Sequence, residues 1–280
     1  MPFDLHFVGL PDADIRQVDA LPSTVADGAD AGPNSRARPG TLYFDIPGTA
    51  SFLIEQGRSI AFAIHDGADP DLVALFLHGT ARAALIHMRG ELPLHAATYV
   101  PPDGGPALAI CGAGGAGKST LGAQLSQRGW TLVADDVTRV TENGAELLAW
   151  PSRPAIKLWQ DACAMAGLDV SRLQRVCRGY DKFYVPVPAT ATPVRLGSIV
   201  ELVDDDALVD LSIGARMALI SRHTFRPAQI GPLGMSAAHA RIVAATVTRS
   251  RQLQLPGKAR YTPTALADLI ERTLAETRAR

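Results

Sequence analysis

The chain has 280 residues, of which 47% are hydrophobic, and its formal net charge is −1. This length and apolar content support one large domain, or a catalytic domain with a small addition. The near-neutral charge excludes a global basic field for nucleic acid, and no apolar run approaches the ~20 residues of a membrane span. Few cysteines without metal-type spacing, and no recognisable secretory signal, predict a reduced cytoplasmic setting.

Residues 1–90 predict a small N-terminal α+β module. Within it, residues 19–41 have almost no large apolar side chain and predict a flexible segment. Asp69-Pro70-Asp71 offers helix-start chemistry for a helix over residues 72–88. The predicted strands of the module are Leu42–Ile46, Ser51–Glu55 and Ser59–Ile64.

Residues 91–280 predict a catalytic α/β domain in which strands and helices alternate. The predicted strands are Leu92–Val100, Ala107–Cys111, Thr131–Ala134, Val137–Thr141, Glu146–Trp150, Phe183–Val187, Val194–Val203 and Gln252–Leu255. The predicted helices are Thr120–Gln127, Leu158–Ala166, Ala215–Arg222, Ala237–Ser250 and Pro263–Arg280. The apolar last helix leaves two options open, a contact in a homo-oligomer or packing on its own domain.

A glycine-rich run after the strand Ala107–Cys111 carries the most specific motif. Residues 112–120 read Gly112-Ala113-Gly114-Gly115-Ala116-Gly117-Lys118-Ser119-Thr120, which satisfies the phosphate-binding pattern G-x-x-x-x-G-K-[ST]. Glycines let backbone N–H groups surround phosphate oxygens, and the helix that follows presents its positive end. The pattern predicts that Lys118 binds the β- and γ-phosphates and that Ser119 ligates Mg²⁺.

An acidic pair, Asp135-Asp136, closes the strand that follows the helix of this motif. Nucleotide-binding proteins place a Mg²⁺-associated carboxylate at such a position. Two adjacent carboxylates allow one of the two to hold a metal, directly or through water, while the other accepts a proton from an attacking hydroxyl. The alternative is a solvated turn at the end of a strand.

His95 lies in Leu92-Pro-Leu-His-Ala-Ala-Thr98, on the strand before the glycine-rich run. Pairing of the two strands would bring His95 to the phosphate loop, where it could contact the transferred phosphoryl group or orient Asp136. The alternative is a core histidine whose ring is satisfied by a backbone carbonyl.

These residues resemble the HPr kinase/phosphorylase family and its stand-alone relatives. The resemblance rests on Gly112–Thr120 and on Gln127-Arg-Gly-Trp-Thr-Leu-Val-Ala-Asp-Asp136, with 18 residues (136 − 118) from Lys118 to Asp136. Leu94-His95-Ala96 is similar to the catalytic histidine strand of the family. The similarity is specific over residues 90–140 and weaker at Pro154–Trp159, Gly179–Phe183 and His223–Pro227.

The resemblance implies a P-loop kinase domain with a mixed β-sheet of the phosphoenolpyruvate-carboxykinase-like type. It implies ATP and Mg²⁺, with Asp136 as the base for a serine hydroxyl, Lys118 stabilising the transferred phosphoryl and His95 assisting at the reacting centre. Ser119 and Asp135 would serve the metal. Lys182 and Arg226 are further candidates for the phosphate or for an acidic part of the substrate, with a surface cation as the alternative.

The chain also departs from the family. The family's glutamate-containing motif after the Asp pair and its late phosphorylase motif have no match, which predicts a kinase without the phosphorylase half. The expected acceptor is a serine of a peptide or small protein, with a ribosomally made lasso-peptide precursor first by resemblance. An HPr-type carrier protein, a small molecule, and a regulator that binds nucleotide without phosphotransfer are the alternatives.

Overall fold

The computed structural model describes residues 10–22, 27–204 and 211–278. The strands are β1 Asp14–Gln17, β2 Ala29–Asp30, β3 Ser35–Arg38, β4 Thr41–Ile46, β5 Ala50–Glu55, β6 Ser59–Ile64, β7 Leu92–Leu94, β8 Ala97–Val100, β9 Ala107–Gly112, β10 Thr131–Ala134, β11 Thr138–Asn143, β12 Glu146–Trp150, β13 Ala155–Trp159, β14 Gln174–Arg175, β15 Lys182–Pro186, β16 Val194–Val203 and β17 Arg251–Pro256. The helices are α1 Pro70–Phe76, α2 Arg82–Met88, α3 Lys118–Gln127, α4 Gln160–Met165, α5 Ile213–Arg222, α6 Ser236–Arg249 and α7 Pro263–Arg278.

The first sheet has six strands in the order β1-β6-β5-β4-β3-β2. One face carries stacked aromatic rings, with Phe52 between Phe44 and Phe62. Helices α1 and α2 cover this face, and their buried side chains share one hydrophobic cluster with the sheet. The three predicted strands of this region are confirmed, whereas the boundary at residue 90 stays a prediction.

The prediction of a flexible segment over residues 19–41 is wrong for the described part. Strands β2 and β3 lie there and extend the first sheet. In β3, Ser35 and Ala37 are buried while Arg36 and Arg38 are exposed. The alternation is that of a half-buried strand, but its inward residues are small and add little hydrophobicity. Residues 23–26 lie outside the described part, as do residues 1–9 of the predicted module.

The helix predicted over residues 72–88 is confirmed, with one irregularity. Asp69 caps α1 by accepting the N–H of Asp71, and Pro70 takes the first turn. A π-helical turn at Leu77–Ala81 then separates α1 from α2. Such a turn adds a residue to the helix and rotates the side chains that follow.

The central sheet has eight strands and mixes parallel and antiparallel pairs. Strand β16 pairs in parallel with both β9 and β17. Strand β8 runs antiparallel to both β9 and β10, so β9 and β10 run the same way. The carboxyl ends of β9, β10, β16 and β17 therefore meet at one edge of the sheet, which is where open α/β sheets place their ligands.

The predicted strand Leu92–Val100 is broken, which corrects the placement of His95 on a strand. Strand β7 pairs with β11, whereas β8 pairs with β9 and β10. His95 and Ala96 lie in the break, and the His95 N–H donates to the His223 carbonyl instead of to a ladder partner. Residues 92–100 thus contribute two separate strands to the central sheet, and hydrophobic periodicity does not reveal where one strand ends and the next begins.

The predicted helix Leu158–Ala166 is wrong at its start. Residues Ala155–Trp159 form β13, which pairs with β15 in a small third sheet, and α4 begins only at Gln160. Ile156 and Leu158 are buried, and Lys157 between them lies on the opposite face. This alternation has the two-residue period of a strand and not the 3.6-residue period of a helix.

The last helix packs on its own domain. Leu266, Ala267 and Ile270 are buried in the cluster that contains Leu121 and Leu125 of α3. At the rim, Arg128 pairs with Asp268 at 2.7 Å and with Glu271 at 2.9 Å. These residues of the helix are therefore used within the chain, and the predicted homo-oligomer stays a prediction. Over the described residues, no helix is long and apolar enough to cross a bilayer.

The contact between α3 and β8 leads to a stability prediction. A Cβ at Gly122 would lie 2.0 Å from the hydroxyl oxygen of buried Tyr99. Gly122→Ala is therefore expected to lower the free energy of unfolding by about 1–3 kcal/mol, because overpacking outweighs the gain in helix propensity. Chemical denaturation measures this. The control Gly214→Ala, on α5 with nothing within 4 Å, should leave stability unchanged or slightly higher.

Candidate functional site

The glycine loop (Gly112–Thr120) lies at the carboxyl edge of the central sheet, between β9 and α3. A Cβ on Gly112 would lie 3.1 Å from both the Leu202 carbonyl oxygen and the Ala116 Cβ, so the close approach to β16 requires glycine. Gly117 has φ +97 and directly precedes α3. The loop therefore turns sharply and leaves the N–H groups of the first turn of α3 facing the sheet edge, which suits an anion.

Lys118 folds back across the glycine loop. Its Nζ donates to the carbonyl oxygens of Gly112 at 2.7 Å and Ala113 at 3.2 Å. Burial lowers the pKa of Lys118 below the usual lysine range, and nearby Asp136 and Asp135 oppose the shift. A phosphate in the loop would replace these carbonyl oxygens as the partner of the ammonium group.

Asp136 occupies an unusual backbone position. Its φ is +72, and the N–H of Val137 donates to the carbonyl of Asp135 across it at 2.9 Å. This is a γ-turn with positive φ, a rare and strained conformation that Asp tolerates better than most residues. The turn directs the Asp136 carboxylate towards two other side chains of the site, Lys157 and His95.

The Asp136 carboxylate is held by Lys157 and lies near His95. Lys157 Nζ donates to Asp136 Oδ2 at 2.6 Å, and His95 Nδ1 lies 3.5 Å from Asp136 Oδ1. Burial raises the pKa of Asp136, but Lys157 lowers it more through charge and hydrogen bond, to about 2. Burial lowers the pKa of His95 despite the Asp136 charge. At neutral pH the site therefore holds an ionised carboxylate beside a neutral imidazole.

Asp135 lies deeper than Asp136. Its Oδ2 accepts the backbone N–H of Lys157 at 2.9 Å. Burial raises its pKa, with the Lys157 ammonium opposing the shift. Among the described residues no cluster of three or more His, Cys, Asp or Glu could hold a metal by itself. Asp135 with Ser119 fits Mg²⁺ only in the way that nucleotide sites use it, with phosphate oxygens and waters completing the shell.

In the segment after α5, Phe225 contacts His95, and Arg226 contacts Phe225. Phe225 stacks on the His95 ring with centroids 5.6 Å apart. Arg226, at φ +55, places its guanidinium 5.4 Å from the centre of the Phe225 ring. Arg226 is exposed and has no carboxylate partner among residues 10–22, 27–204 and 211–276. The structure thus brings the predicted Arg226 to the histidine side of the site.

A buried glutamate anchors this segment. Glu201 of β16 accepts hydrogen bonds from Arg222 at 2.7 Å, His223 at 2.7 Å and Gln254 at 2.7 Å. Burial raises the pKa of Glu201, but these three donors hold it far below its usual range. Since the His223 carbonyl accepts the His95 N–H, the glutamate fixes the break between β7 and β8.

Helix α2 supports the same loops from the other side. Arg82 is buried and its Nη1 donates to the Val137 carbonyl at 3.1 Å. His87 Nε2 donates to the Phe225 carbonyl at 2.8 Å. The elements that precede residue 90 therefore position both the Asp136 turn and the His95 contact, although no catalytic candidate lies among them.

All four lysines of the chain lie around this site. Lys182 of β15 has its Nζ 5.4 Å from the centre of the Trp159 ring, and its positive charge acts on both carboxylates of the Asp pair: it opposes the rise that burial causes in the pKa of Asp135, and it adds to the effect of Lys157 on the pKa of Asp136. Lys258 follows β17 and its side chain lies over the glycine loop, with Cβ 3.3 Å from a Cβ placed on Gly117. Lys157 and Lys258 were missed as site residues from the sequence, although the rarity of lysine in an Arg-rich chain was a usable signal.

Two cavities adjoin the site. The α3 cavity, of about 470 Å³, lies beside the first turn of α3 and beneath residues 258–263. The module cavity, of about 640 Å³, lies between the first sheet and the segment 222–229, and His95 is part of its wall. Both volumes fall within the range of ligand pockets.

Comparisons with known proteins add little to this geometry. No protein-family model matches the chain, and no curated protein matches it. Among solved structures, 66% of the chain is similar to 92% of the Hpr(Ser) kinase/phosphatase from Coxiella burnetii, with a TM-score of 0.39 and 16% identity.

The Lys157 contact predicts how Asp136 titrates. Lys157→Met is expected to raise the pKa of Asp136 from about 2 to its usual range or above, because burial then acts unopposed by the ammonium group. Carboxyl-detected NMR titration measures the shift. Lys157→Arg, which keeps the charge, should retain a low pKa. An unchanged Asp136 pKa in the Met variant would contradict the role given to this ion pair.

Proposed function

We propose that the protein is an ATP-dependent serine kinase that phosphorylates a peptide or small protein. The observation that carries the proposal is the juxtaposition of an ionised, strained Asp136 with a neutral His95 at the sheet edge that also holds the glycine loop. A loop for phosphate alone would fit many nucleotide-hydrolysing or regulatory proteins. A carboxylate kept ionised beside that loop adds a group that can accept the hydrogen bond of an acceptor hydroxyl.

In the proposed reaction the serine oxygen forms a bond to the γ-phosphorus of ATP. The bond between the γ-phosphorus and the β,γ-bridging oxygen breaks, ADP leaves, and the hydroxyl proton passes to the Asp136 carboxylate. The low pKa of Asp136 makes it a weak base. This suffices in a loose phosphoryl-transfer transition state, where positioning and charge neutralisation contribute most of the catalysis.

The cations of the site suit the charge that develops in this reaction. The backbone N–H groups of the glycine loop and Lys118 would bind the phosphates, and Lys258 lies on the open side of the loop. The nucleoside would extend into the α3 cavity. Mg²⁺ bound to Ser119, Asp135 and phosphate oxygens would neutralise the phosphate charge. His95 and Lys182 would contact the transferred group.

The resemblance to HPr kinase-like proteins agrees with this chemistry and orders the acceptors. It ranks a ribosomally made peptide precursor first and an HPr-type carrier protein as an alternative. The same proposal includes three further points: a fold of the phosphoenolpyruvate-carboxykinase-like type, a domain boundary at residue 90 and a cytoplasmic setting. The mixed sheets are compatible with the fold part of this proposal.

The role of Asp136 is tested by Asp136→Asn. Asparagine tolerates positive φ, so the turn is retained while the carboxylate is lost. Transfer of phosphate from Mg-ATP to serine peptides should fall by about 10²–10⁴-fold, and ATP affinity measured by calorimetry should change little. Full activity of this variant would show that Asp136 is not the base.

The role of Lys258 is tested by Lys258→Gln. Since its side chain lies over the glycine loop, loss of the charge should weaken ATP binding by roughly tenfold, the usual size of one charge-assisted hydrogen bond. Calorimetry with ATP and with adenosine separates phosphate from nucleoside contacts, and adenosine affinity should not change. The control Arg172→Gln removes a cation that is 86% exposed and should leave both affinities unchanged.

The alternatives give different results in the same assays. A small-molecule kinase would consume ATP with metabolites but not with peptides or carrier proteins. A nucleotide-binding regulator would bind ATP and phosphorylate no acceptor. Either result would contradict the proposed function.

A further inference from the structure

We propose that the module cavity binds the acceptor as an extended peptide segment, with an apolar side chain inside the cavity and a carboxylate against Arg226. The inference deepens the proposed function and rests on it for the identification of the occupant as acceptor. It concerns residues outside the glycine loop and the Asp pair.

The position of the cavity selects the acceptor over the nucleotide. His95 belongs both to the cavity wall and to the Asp136 centre, with its Nδ1 3.5 Å from Asp136 Oδ1. That nitrogen is buried and has no hydrogen-bond partner. A group that enters through the module cavity therefore reaches His95, the direct neighbour of Asp136, whereas the α3 cavity lies beside the glycine loop and Lys258.

The size and the apolar wall of the module cavity indicate a ligand group larger than a serine side chain. Its volume is about 640 Å³, so a hydroxymethyl group alone would leave most of it empty. The first sheet and α1 contribute an apolar wall with Phe44, Ile46 and Phe76. Burial of an apolar side chain there would contribute roughly 25 cal/mol per Å² of area removed from water.

One buried polar group of the cavity lacks a hydrogen-bond partner and indicates a donor on the ligand. Gln229 is 1% exposed and lines the cavity, and its Oε1 has no hydrogen-bond partner. A buried acceptor of this kind is costly unless a donor reaches it, and the N–H of a peptide bond is a suitable donor.

Arg226 supplies the charge. Its guanidinium lies over the Phe225 ring with no carboxylate partner in the described part of the chain, while Arg222, which also lines the cavity, is occupied by Glu201. A planar guanidinium matches a carboxylate with two hydrogen bonds. The carboxylate could belong to an acidic side chain or to the C-terminus of the acceptor.

The test measures binding without catalysis. Immobilised full-length protein is incubated, without ATP, with synthetic peptides that contain one fixed central serine and randomised flanking positions. Half of the pool has a free C-terminal carboxylate and half is amidated. Mass spectrometry of the retained peptides should show enrichment of Leu, Ile, Val or Phe beside the serine, and of a carboxylate. Enrichment of Asp or Glu in both halves identifies a side chain, and preference for the free-acid half identifies the C-terminus.

Variants connect the selection to the cavity. Arg226→Asn tolerates the positive φ and should weaken binding of the selected peptide by roughly tenfold, whereas Arg226→Lys should restore part of the affinity. Ile46→Ser should reduce the apolar preference and keep the carboxylate preference. Arg172→Asn is the matched charge control and should bind like the parent protein. Thermal unfolding verifies that each variant is folded.

The outcomes separate this inference from the proposed function. Retention without carboxylate enrichment, enrichment that survives in Arg226→Asn, or no retention at all would overturn the cavity assignment. Selective binding that persists in Asp136→Asn supports it whether or not phosphate is transferred. Phosphate transfer to peptides without any selection would leave the kinase proposal standing and remove the cavity from it.

Discussion

The ion pair between Asp136 and Lys157 is the contact on which the rest of the candidate site depends. It keeps ionised a carboxylate whose pKa burial alone would raise, and it does so on a turn with positive φ that few residues tolerate. The pair also connects the edge of the central sheet to β13, so the third sheet positions Lys157 for Asp136. Removal of one partner would leave the other charge buried, which costs far more than the pair contributes.

The loops of the site are supported from three directions. Glu201 binds the segment after α5 from within the central sheet, and helix α2 binds the Asp136 turn and the Phe225 carbonyl from outside it. Lys157 supplies the third support. Preorganised groups of this kind can stabilise charge at the moment of reaction without rearrangement. The support from α2 explains why a segment without catalytic candidates matters for the site, and it places the module cavity next to His95.

The distribution of lysine has a physical basis. Arginine serves the surface and the structural ion pairs of this chain, and lysine occurs only at the four positions around the glycine loop and the Asp pair. A compact ammonium group can be buried against one carboxylate, as in Lys157, or against two neighbouring carbonyls, as in Lys118, whereas a planar guanidinium has five N–H donors to satisfy. Residue rarity was therefore a signal for Lys157 that hydrophobic periodicity did not give, since Lys157 lies on the face of β13 opposite to its buried apolar residues.

The local features of this protein can be predicted from its residues alone. Glycines, an Asp-Pro start and apolar periodicity predicted the glycine loop, most helices and most strands, because these depend on neighbours along the chain. Contacts between distant segments are what break residues 92–100 at His95, make residues 155–159 a strand, and add the small residues of β3 to the first sheet. The tertiary structure also brought Lys157, Phe225 and Lys258 to the site. These outcomes depend on partners distant in the chain, such as Asp136 for Lys157 and the His223 carbonyl for His95, and no local pattern encodes them.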